Sequence, residues 1–493
     1  MGSDQASFAE FAASLQGDDR MMRLAAGVIG EGAPVPGPFG PKALIYADYV
    51  ASGRAVRQVE DFVQAHVLPY YANTHTEASF CGRYSGRTRE AGRRIISQLC
   101  GATDAYATIF AGSGATAGLN RLVGLLGVDE TARRAAAGLC ARPVVFIGPY
   151  EHHSNILPWR ESGAEVVEIP EAPEGGPDLA ALEQALLDAG PDRMKTGAFS
   201  AASNVTGIVT EPDPVSALLR RYEAAVVWDY AGGGPYLPID MRAGTPFQKD
   251  AVVISPHKFI GGPGASGVLI VRKDAVSLSR PVFPGGGTVR FVSPWDHEYS
   301  GDLVSREEAG TPNVTGDIRS ALVFLIKDAI GQELMDRRHE ALRLQALERW
   351  SENPNISILG NPDARRALPV FSFRVQDPVK GGWIHQQLFT RMLSDCYGIQ
   401  ARGGCACAGP YAHRLLGISE EDSALLRDAI LAGEEILKPG WVRLSLSVLL
   451  SDEKAAKIIG AVDDLARNPY PMVTRYLCDE TTARFRMQET EAA

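Results

Sequence analysis

Short runs of apolar, mostly β-branched residues alternate through much of this chain with segments whose apolar positions recur at helical spacing. Strands are predicted at 107–110, 144–147, 166–169, 197–200, 224–228, 252–254 and 268–271, each bounded by turn formers. Stretches such as 179–189 and 214–223 have helical length and periodicity between them. That alternation predicts an α/β domain whose mainly parallel seven-stranded sheet is covered on both faces. Beyond about residue 320 the rhythm changes. A long helical stretch to Trp350 leads to a strand at 370–375, a helix at 384–393 and a strand at 442–448, a smaller α+β unit. Residues 420–437 read as an acidic helical insertion, and the tail after Pro469 as a surface-laid segment. Ahead of the large domain, Phe8, Phe11, Leu15, Met22 and Leu24 mark a helical arm that ends in a Gly/Pro-rich connector. The expected division is therefore 1–40 (arm), 41–320 (large domain) and 321–493 (small domain).

Parallel sheets gather ligands at the carboxyl ends of their strands, so the polar residues following each run carry the candidate chemistry. Gly112-Ser113-Gly114-Ala115-Thr116 follows the first strand and opens a helix. Small residues let the backbone close on an anion there, which makes Gly114, Ala115 and Thr116 a phosphate cradle; the alternative is a merely tight turn. The segment lacks the Lys-Ser/Thr of a P-loop and the spacing of a dinucleotide fingerprint, which disfavours ATP and NAD. Tyr150 to Asn155 includes His152 and His153, which point to opposite sides of an extended chain. Neither has an i, i+4 partner or a third ligand, so no metal is expected. His152 suits stacking on an aromatic ring, and His153 a structural role. Asn204 either donates to a ring oxygen or closes a turn. Asp229 ends a buried strand, where a carboxylate pairs with a protonated ring nitrogen, an arginine or a helix end. Lys258 lies in the turn Ser255-Pro256-His257-Lys258-Phe259 between two apolar runs. A desolvated lysine is a nucleophile whose commonest use is a Schiff base with a carbonyl cofactor, and the alternative is a surface lysine on a tight turn. Cradle, stacking imidazole, amide donor, ring-nitrogen anion and lysine, in this order, describe pyridoxal 5′-phosphate (PLP).

Composition narrows the remaining classes. A length of 493 residues exceeds one typical core, while 45% hydrophobic and 22% charged residues are ordinary for a globular chain. The net charge of −10 argues against a nucleic-acid partner. No apolar run reaches membrane-spanning length and no signal-peptide pattern opens the chain. Seven cysteines, scattered apart from Cys405 and Cys407, fit free thiols better than a disulfide framework, and a cytoplasmic setting is expected. A metal clasp by that pair lacks further ligands.

Over roughly residues 45 to 465 the chain resembles the class V, fold type I PLP enzymes, specifically the cysteine desulfurase and selenocysteine lyase group. The motifs that carry the resemblance are Tyr46-Ala47-Asp48-Tyr49, Glu151-His152-His153-Ser154-Asn155 with Pro158-Trp159, Asp229, and Ser255-Pro256-His257-Lys258. Gly285-Gly286-Gly287-Thr288, Glu308-Ala309-Gly310-Thr311-Pro312-Asn313, Arg402-Gly403-Gly404-Cys405-Ala406-Cys407 and Trp441-Val442-Arg443-Leu444-Ser445 complete the set. The resemblance implies ring stacking and a catalytic part for His152, a Schiff base at Lys258, and phosphate contacts from Ser255 and His257. It also implies that a loop of the Thr288 and Thr311 kind reaches the phosphate of a neighbouring subunit, hence a homodimer. Cys407 would accept sulfur, with Arg402 the expected source of positive charge beside it. Arg443 would hold the carboxylate of a small amino-acid substrate, with Asn204 and Arg402 nearby. Strand alternation independently places Arg443, Ser445 and Ser447 on one face.

The expected activity is removal of sulfur or selenium from a cysteine-type amino acid through a cysteine persulfide, with transfer to an acceptor protein. The alternatives are a PLP-dependent aminotransferase, epimerase or C–S/β-lyase that uses no cysteine, and a non-catalytic sulfur-relay partner. Two features depart from the family pattern. Gly232 stands where the family has Gln or His beside the cofactor's phenolic oxygen. The sulfur loop carries Cys405 as well as Cys407, and Cys407 precedes Arg443 by 36 positions (443 − 407) because of the insertion.

Overall fold

The computed structural model describes residues 3–74 and 76–488. The chain forms two compact units. The first holds the chain up to Ile29, Ser52–Ser203 and Val209–Leu334; the second holds Gly30–Ala51, Asn204–Ile208 and the chain from Met335 onward.

The first unit is built on a seven-stranded sheet of β1 (Tyr106–Phe110), β2 (Val144–Ile147), β3 (Glu165–Glu168), β4 (Lys195–Ser200), β5 (Ala225–Asp229), β6 (Ala251–Ile254) and β7 (Val268–Arg272). The strand order is β1-β7-β6-β5-β4-β2-β3. All pairings are parallel except those of β7, which runs antiparallel to both β1 and β6. The seven apolar runs of the sequence are these seven strands, with ends shifted by a residue or two. Every residue of β1, β2, β4 and β6 is buried, as sheets covered on both faces require. β3 is only partly buried and lies at the edge. The helix Ala115–Leu125 packs Leu119, Leu122 and Leu125 into a core shared with Ile109, Val145, Val253 and Leu269. Each such buried leucine contributes about 1.5–3 kcal/mol over an exposed one. The N-terminal arm also joins this unit, with the rings of Phe8 and Phe11 both 5.4 Å from that of Phe62. Met22 stays 67% exposed, so Leu24 closes the arm's buried face.

The second unit carries a four-stranded antiparallel sheet of β8 (Ile356–Ile358), β9 (Val370–Val375), β10 (Arg402–Gly404) and β11 (Trp441–Ser445), in the order β8-β9-β11-β10. Helices Gln386–Tyr397 and Asp452–Arg467 pack Phe389, Leu393, Ile458 and Val462 against Phe373, Val442 and Leu444. Residues Ile45–Tyr46 pair in parallel with Ile399–Gln400, and Asp48 bridges Ser445. These pairings tie 30–51 to this unit. The single helical stretch expected from 322 to 350 is two helices, Val314–Ile330 and Gln332–Ser351, because Gly331 adopts φ 83° between them. The tail forms a hairpin of Tyr476–Asp479 with Arg484–Met487.

Gly404 faces Trp441 across the β10–β11 pairing, so residues 405–440 leave and re-enter the sheet at one place. This excursion contains helices Gly409–Leu416 and Glu420–Leu431, joined by a 2.8 Å hydrogen bond between His413 Nε2 and Ser423 Oγ. The second is the expected acidic helix; Ser419 caps it and none of its residues is buried. Among the described residues no helix is long and apolar enough to cross a membrane.

Candidate active site

In the first unit the polar residues gather around the start of the helix Ala115–Leu125. Its N-cap is Gly114, with φ 77° and no side chain to satisfy the first amides. The amide of Ala115 donates to Ser255 Oγ at 2.9 Å. A Cβ on Gly114 would stand 2.9 Å from that oxygen and 3.6 Å from His257 Cδ2. The glycine thus keeps open a hollow bounded by Ser255, His257 and the positive end of a helix. An oxyanion is what such a hollow accommodates, so the residues present fit the phosphate of PLP. Gly267 presses on the same turn and donates to the Gly112 carbonyl at 2.7 Å. Thr116 Oγ1 shares a 2.7 Å hydrogen bond with Ser154 Oγ, which lies 3.1 Å from His152 Nδ1. The amide of Ser154 also donates to His152 Nδ1, which leaves that nitrogen unprotonated and fixes the ring's orientation. His152 and His153 are both half-buried, with ring centroids 6.1 Å apart. His153 opens the short turn His153–Asn155.

Lys258 ends the turn Pro256–Lys258 that follows β6 and is half-buried; its amide donates to the Ser255 carbonyl at 3.0 Å. Burial, then the charge of Lys258, pushes His257 down to about 4, so its ring is neutral near pH 7. Asp229, the last residue of β5, is buried and accepts from the Ala231 amide at 2.7 Å. Burial raises its pKa, against the opposing pull of that amide and of Lys258. A cation beside it, such as a protonated ring nitrogen, offsets that burial cost.

Behind Asp229 lies a carboxylate with no role assigned from sequence. Glu151 accepts from the amides of Gly148 (3.2 Å) and Ser200 (2.8 Å), from Ser200 Oγ (2.5 Å) and from Asn155 Nδ2 (2.6 Å). Asn155 in turn accepts from Trp159 Nε1 at 3.0 Å. This network binds the loop after β2 to the end of β4. Burial pushes the Glu151 carboxyl up to about 7 despite those donors, and Asp229 adds to the effect.

The loops expected to reach another subunit lie together, with the Gly310 amide donating to the Gly286 carbonyl at 2.7 Å. Thr288 is buried and donates to the Gly285 carbonyl at 2.7 Å, whereas Thr311 is exposed. Glu308 is held by Arg89 and Arg93 and accepts from the Phe110 amide at 2.7 Å, which anchors the Thr311 loop to β1. Burial alone would raise its pKa, but the two guanidiniums outweigh it and hold it low.

The second unit brings together Asp48, Asn204, Arg402, Arg443 and the two cysteines. Arg402 and Arg443 face each other across the β10–β11 pairing. Asp48 bridges them, accepting from Arg443 Nη2 and Arg402 Nε at 2.9 Å each. Arg443 is 4% exposed and donates Nη1 to the Asn204 carbonyl at 3.1 Å; Arg402 is 49% exposed. The side chain of Asn204 donates to the Ala406 carbonyl at 2.8 Å. Two hydrogen bonds therefore link the arginine to the cysteine loop. That loop is a reverse turn closed by the Ala408 amide on the Cys405 carbonyl at 3.3 Å. Ala406 and Cys407 are both left-handed, at φ 55° and 56°. Non-glycine residues in that region cost about 1–3 kcal/mol each, so the surrounding structure must hold the turn. Cys407 is exposed and Cys405 half-buried. Arg402, expected beside Cys407 as a counter-charge, gives its Nε to Asp48.

Asp48 and Glu151 both lie inside the family-like motifs, but the arginines on Asp48 and the Ser200 donors on Glu151 come from far away in sequence, which no spacing rule reveals. Gly232 lies in the turn after β5 and itself has no side chain to reach a cofactor oxygen. Among the described residues no group of three or more His, Cys, Asp or Glu is placed to hold a metal.

A family model described as aminotransferase class-V matches residues 45–453. A probable cysteine desulfurase of Vibrio cholerae is 29% identical over 423 residues, 85% of this chain and 93% of the relative. One from Streptomyces coelicolor is 27% identical over 378 residues, 75% of this chain and 85% of the relative. Among solved structures, an apo cysteine desulfurase from Thermococcus onnurineus superposes with a TM-score of 0.70 at 24% identity, covering 86% of this chain and 95% of that one. A cysteine desulfurase of Escherichia coli gives a TM-score of 0.67 at 21% identity, covering 90% and 98%. At those identities the two structures speak for the fold.

Proposed function

The chain belongs to the class-V aminotransferase family, and from that premise we propose that it is a PLP-dependent enzyme removing sulfur or selenium from a cysteine-type amino acid. The observation that carries the proposal is the linkage in the second unit. A buried arginine suited to a carboxylate is two hydrogen bonds from an exposed cysteine on a strained turn. An aminotransferase, epimerase or lyase has no use for that cysteine.

The cofactor, when bound, supplies a sink for the electron pair left at the substrate Cα. Ser255, His257 and the amides at the start of the helix Ala115–Leu125 would hold its phosphate, with Thr116 beside them. His152 would stack on the ring, and buried Asp229 would favour a proton on the ring nitrogen. Gly232, in place of a Gln or His, offers no side chain to the phenolic oxygen. The Nζ of Lys258 would hold the cofactor at rest and, when free, is the base placed to take the Cα proton. Arg443 would grip the substrate carboxylate through its planar fork, held in place by the Asn204 carbonyl and by Asp48, which Arg402 shares. The Cys407 thiolate would attack the substrate sulfur; the Cβ–S bond breaks, its electron pair stays with the carbon skeleton, which takes up protons at Cβ and Cα to become alanine, and the sulfur remains on Cys407 as a persulfide.

Two further features support a homodimer. The loops of Thr288 and Thr311 bear the motifs of a shared site, and the hairpin Val289–Val292 with His297–Tyr299 exposes Phe291, Val292 and Trp295 (90% for Trp295). Seven free thiols suit a reducing compartment, the cytoplasm. An acceptor protein would take the sulfur from the exposed Cys407. Replacing Cys407 by Ala tests the reading: alanine release from L-cysteine should fall by at least a hundredfold with the cofactor absorbance intact. Undiminished release would favour a transaminase, epimerase or lyase.

A further inference from the structure

The turn that presents Cys407 carries a second thiol that the proposed reaction leaves unused. Cys405 and Cys407 are the first and third residues of the turn closed by Ala408 on Cys405. A left-handed residue between them folds two 3.8 Å virtual bonds into a Cα separation of about 5.5 Å, inside the roughly 4.4–6.8 Å window of disulfides. In an extended strand the same residues would lie about 6.6 Å apart, at the far end of that window. Both thiols are at least partly accessible. The Asn204 side chain grips the Ala406 carbonyl, in the middle of the turn, and so holds the compact form.

We infer that Cys405 is a resolving thiol that discharges the Cys407 persulfide as sulfide, an inference that rests on the desulfurase reading. The Cys405 thiolate attacks the inner sulfur, Cys407 Sγ. The bond from Sγ to the outer sulfur breaks, and its electron pair departs with the outer sulfur as hydrosulfide, which takes the proton lost by Cys405. A Cys405–Cys407 disulfide remains. The outer sulfur is reduced while two thiols become one disulfide, so no external oxidant enters. A dithiol reductant then restores both thiols by ordinary exchange. A disulfide spanning one residue is strained, and strained disulfides are readily reduced, which suits a bond reopened at each cycle. The chain thereby gains a route that releases sulfide to a small reductant, without requiring an acceptor protein to reach Cys407.

The test uses the cofactor-loaded full chain in thiol-free buffer, in two arms. One adds a single equivalent of L-cysteine per chain, so that no excess substrate thiol remains to reduce the product; the other adds inorganic polysulfide, which loads exposed thiols with sulfur independently of desulfurase turnover. The peptide containing both cysteines is then read by mass spectrometry, and free sulfide is measured. The expected wild-type peptide is lighter by two hydrogens in both arms, with about one sulfide released per alanine in the first. In the Cys405→Ser protein the peptide should instead carry one extra sulfur on Cys407, and sulfide release without added dithiol should fall at least tenfold. A wild-type peptide that keeps the extra sulfur and forms no internal disulfide overturns the proposal, as does identical behaviour of the Cys405→Ser protein. Should L-cysteine yield no alanine, the desulfurase reading fails, and the polysulfide arm still decides whether Cys405 resolves a persulfide.

Discussion

Replacing Arg443 by Lys keeps the charge but removes the fork, which isolates what the guanidinium does. In the native chain one nitrogen serves Asp48 at 2.9 Å and another the Asn204 carbonyl at 3.1 Å, with the side chain 4% exposed. A single ammonium on a shorter stem cannot satisfy both and meet a substrate carboxylate in plane. Loss of one charge-assisted hydrogen bond to that carboxylate costs about 1.5–3 kcal/mol. The corresponding rise in KM for L-cysteine is roughly ten- to a hundredfold, with a smaller effect on kcat. Arg443→Ala should behave differently, because it leaves the nearly buried Asp48 paired only with half-exposed Arg402. Breaking a buried pair costs about 3–5 kcal/mol, so that variant should lose stability as well as affinity. Steady-state alanine release gives KM and kcat, and thermal melting separates the stability effect. Cysteamine, which lacks the carboxylate, serves as the control ligand and should bind both proteins alike. A KM for Arg443→Lys within twofold of the wild type, at unchanged melting temperature, would refute the assignment of the carboxylate to this residue.

Two further outcomes test the first unit. Gly114→Ala places a Cβ 2.9 Å from Ser255 Oγ in a left-handed backbone, so PLP should bind at least tenfold more weakly; an absorbance titration with unchanged affinity would remove the phosphate from this hollow. Glu151 has a folded pKa raised from 4.5 to about 7, so its contribution favours the folded state below pH 4.5 and is lost as the pH climbs through 7. That loss amounts to at most about 3 kcal/mol. Glu151→Gln sacrifices hydrogen-bond geometry at every pH but lacks this penalty. Its melting temperature should therefore lie furthest below the wild type near pH 5 and approach it near pH 8; a constant gap would contradict the titration.

The large sheet was legible because its strands are buried on both faces and read as unbroken apolar runs, as in 144–147 and 252–254. The reversed direction of β7 was not, since an apolar run carries no sign of its orientation. In the small unit the short β10 strand, Arg402-Gly403-Gly404, has no apolar signature and exists through its pairing with β11. The grouping of 30–51 with that unit likewise rests on pairings of Ile45 with Ile399 and Asp48 with Ser445, hundreds of positions apart. Lys258 and Asp229 each follow a recognisable apolar run, whereas Cys407 is picked out by the resemblance of its loop to the family's. The Asp48 bridge, the Ser200 donors to Glu151 and the hold of Asn204 on Ala406 are long-range contacts, and a linear pattern cannot announce them.

The most direct measurement is borohydride reduction of the purified, PLP-loaded protein followed by peptide mapping. The mass of the reduced cofactor should appear on the peptide that contains Lys258, with the cofactor absorbance bleached in proportion. Cofactor mass on a different lysine, or none on any, would contradict the assignment of this chain's chemistry to the turn after β6.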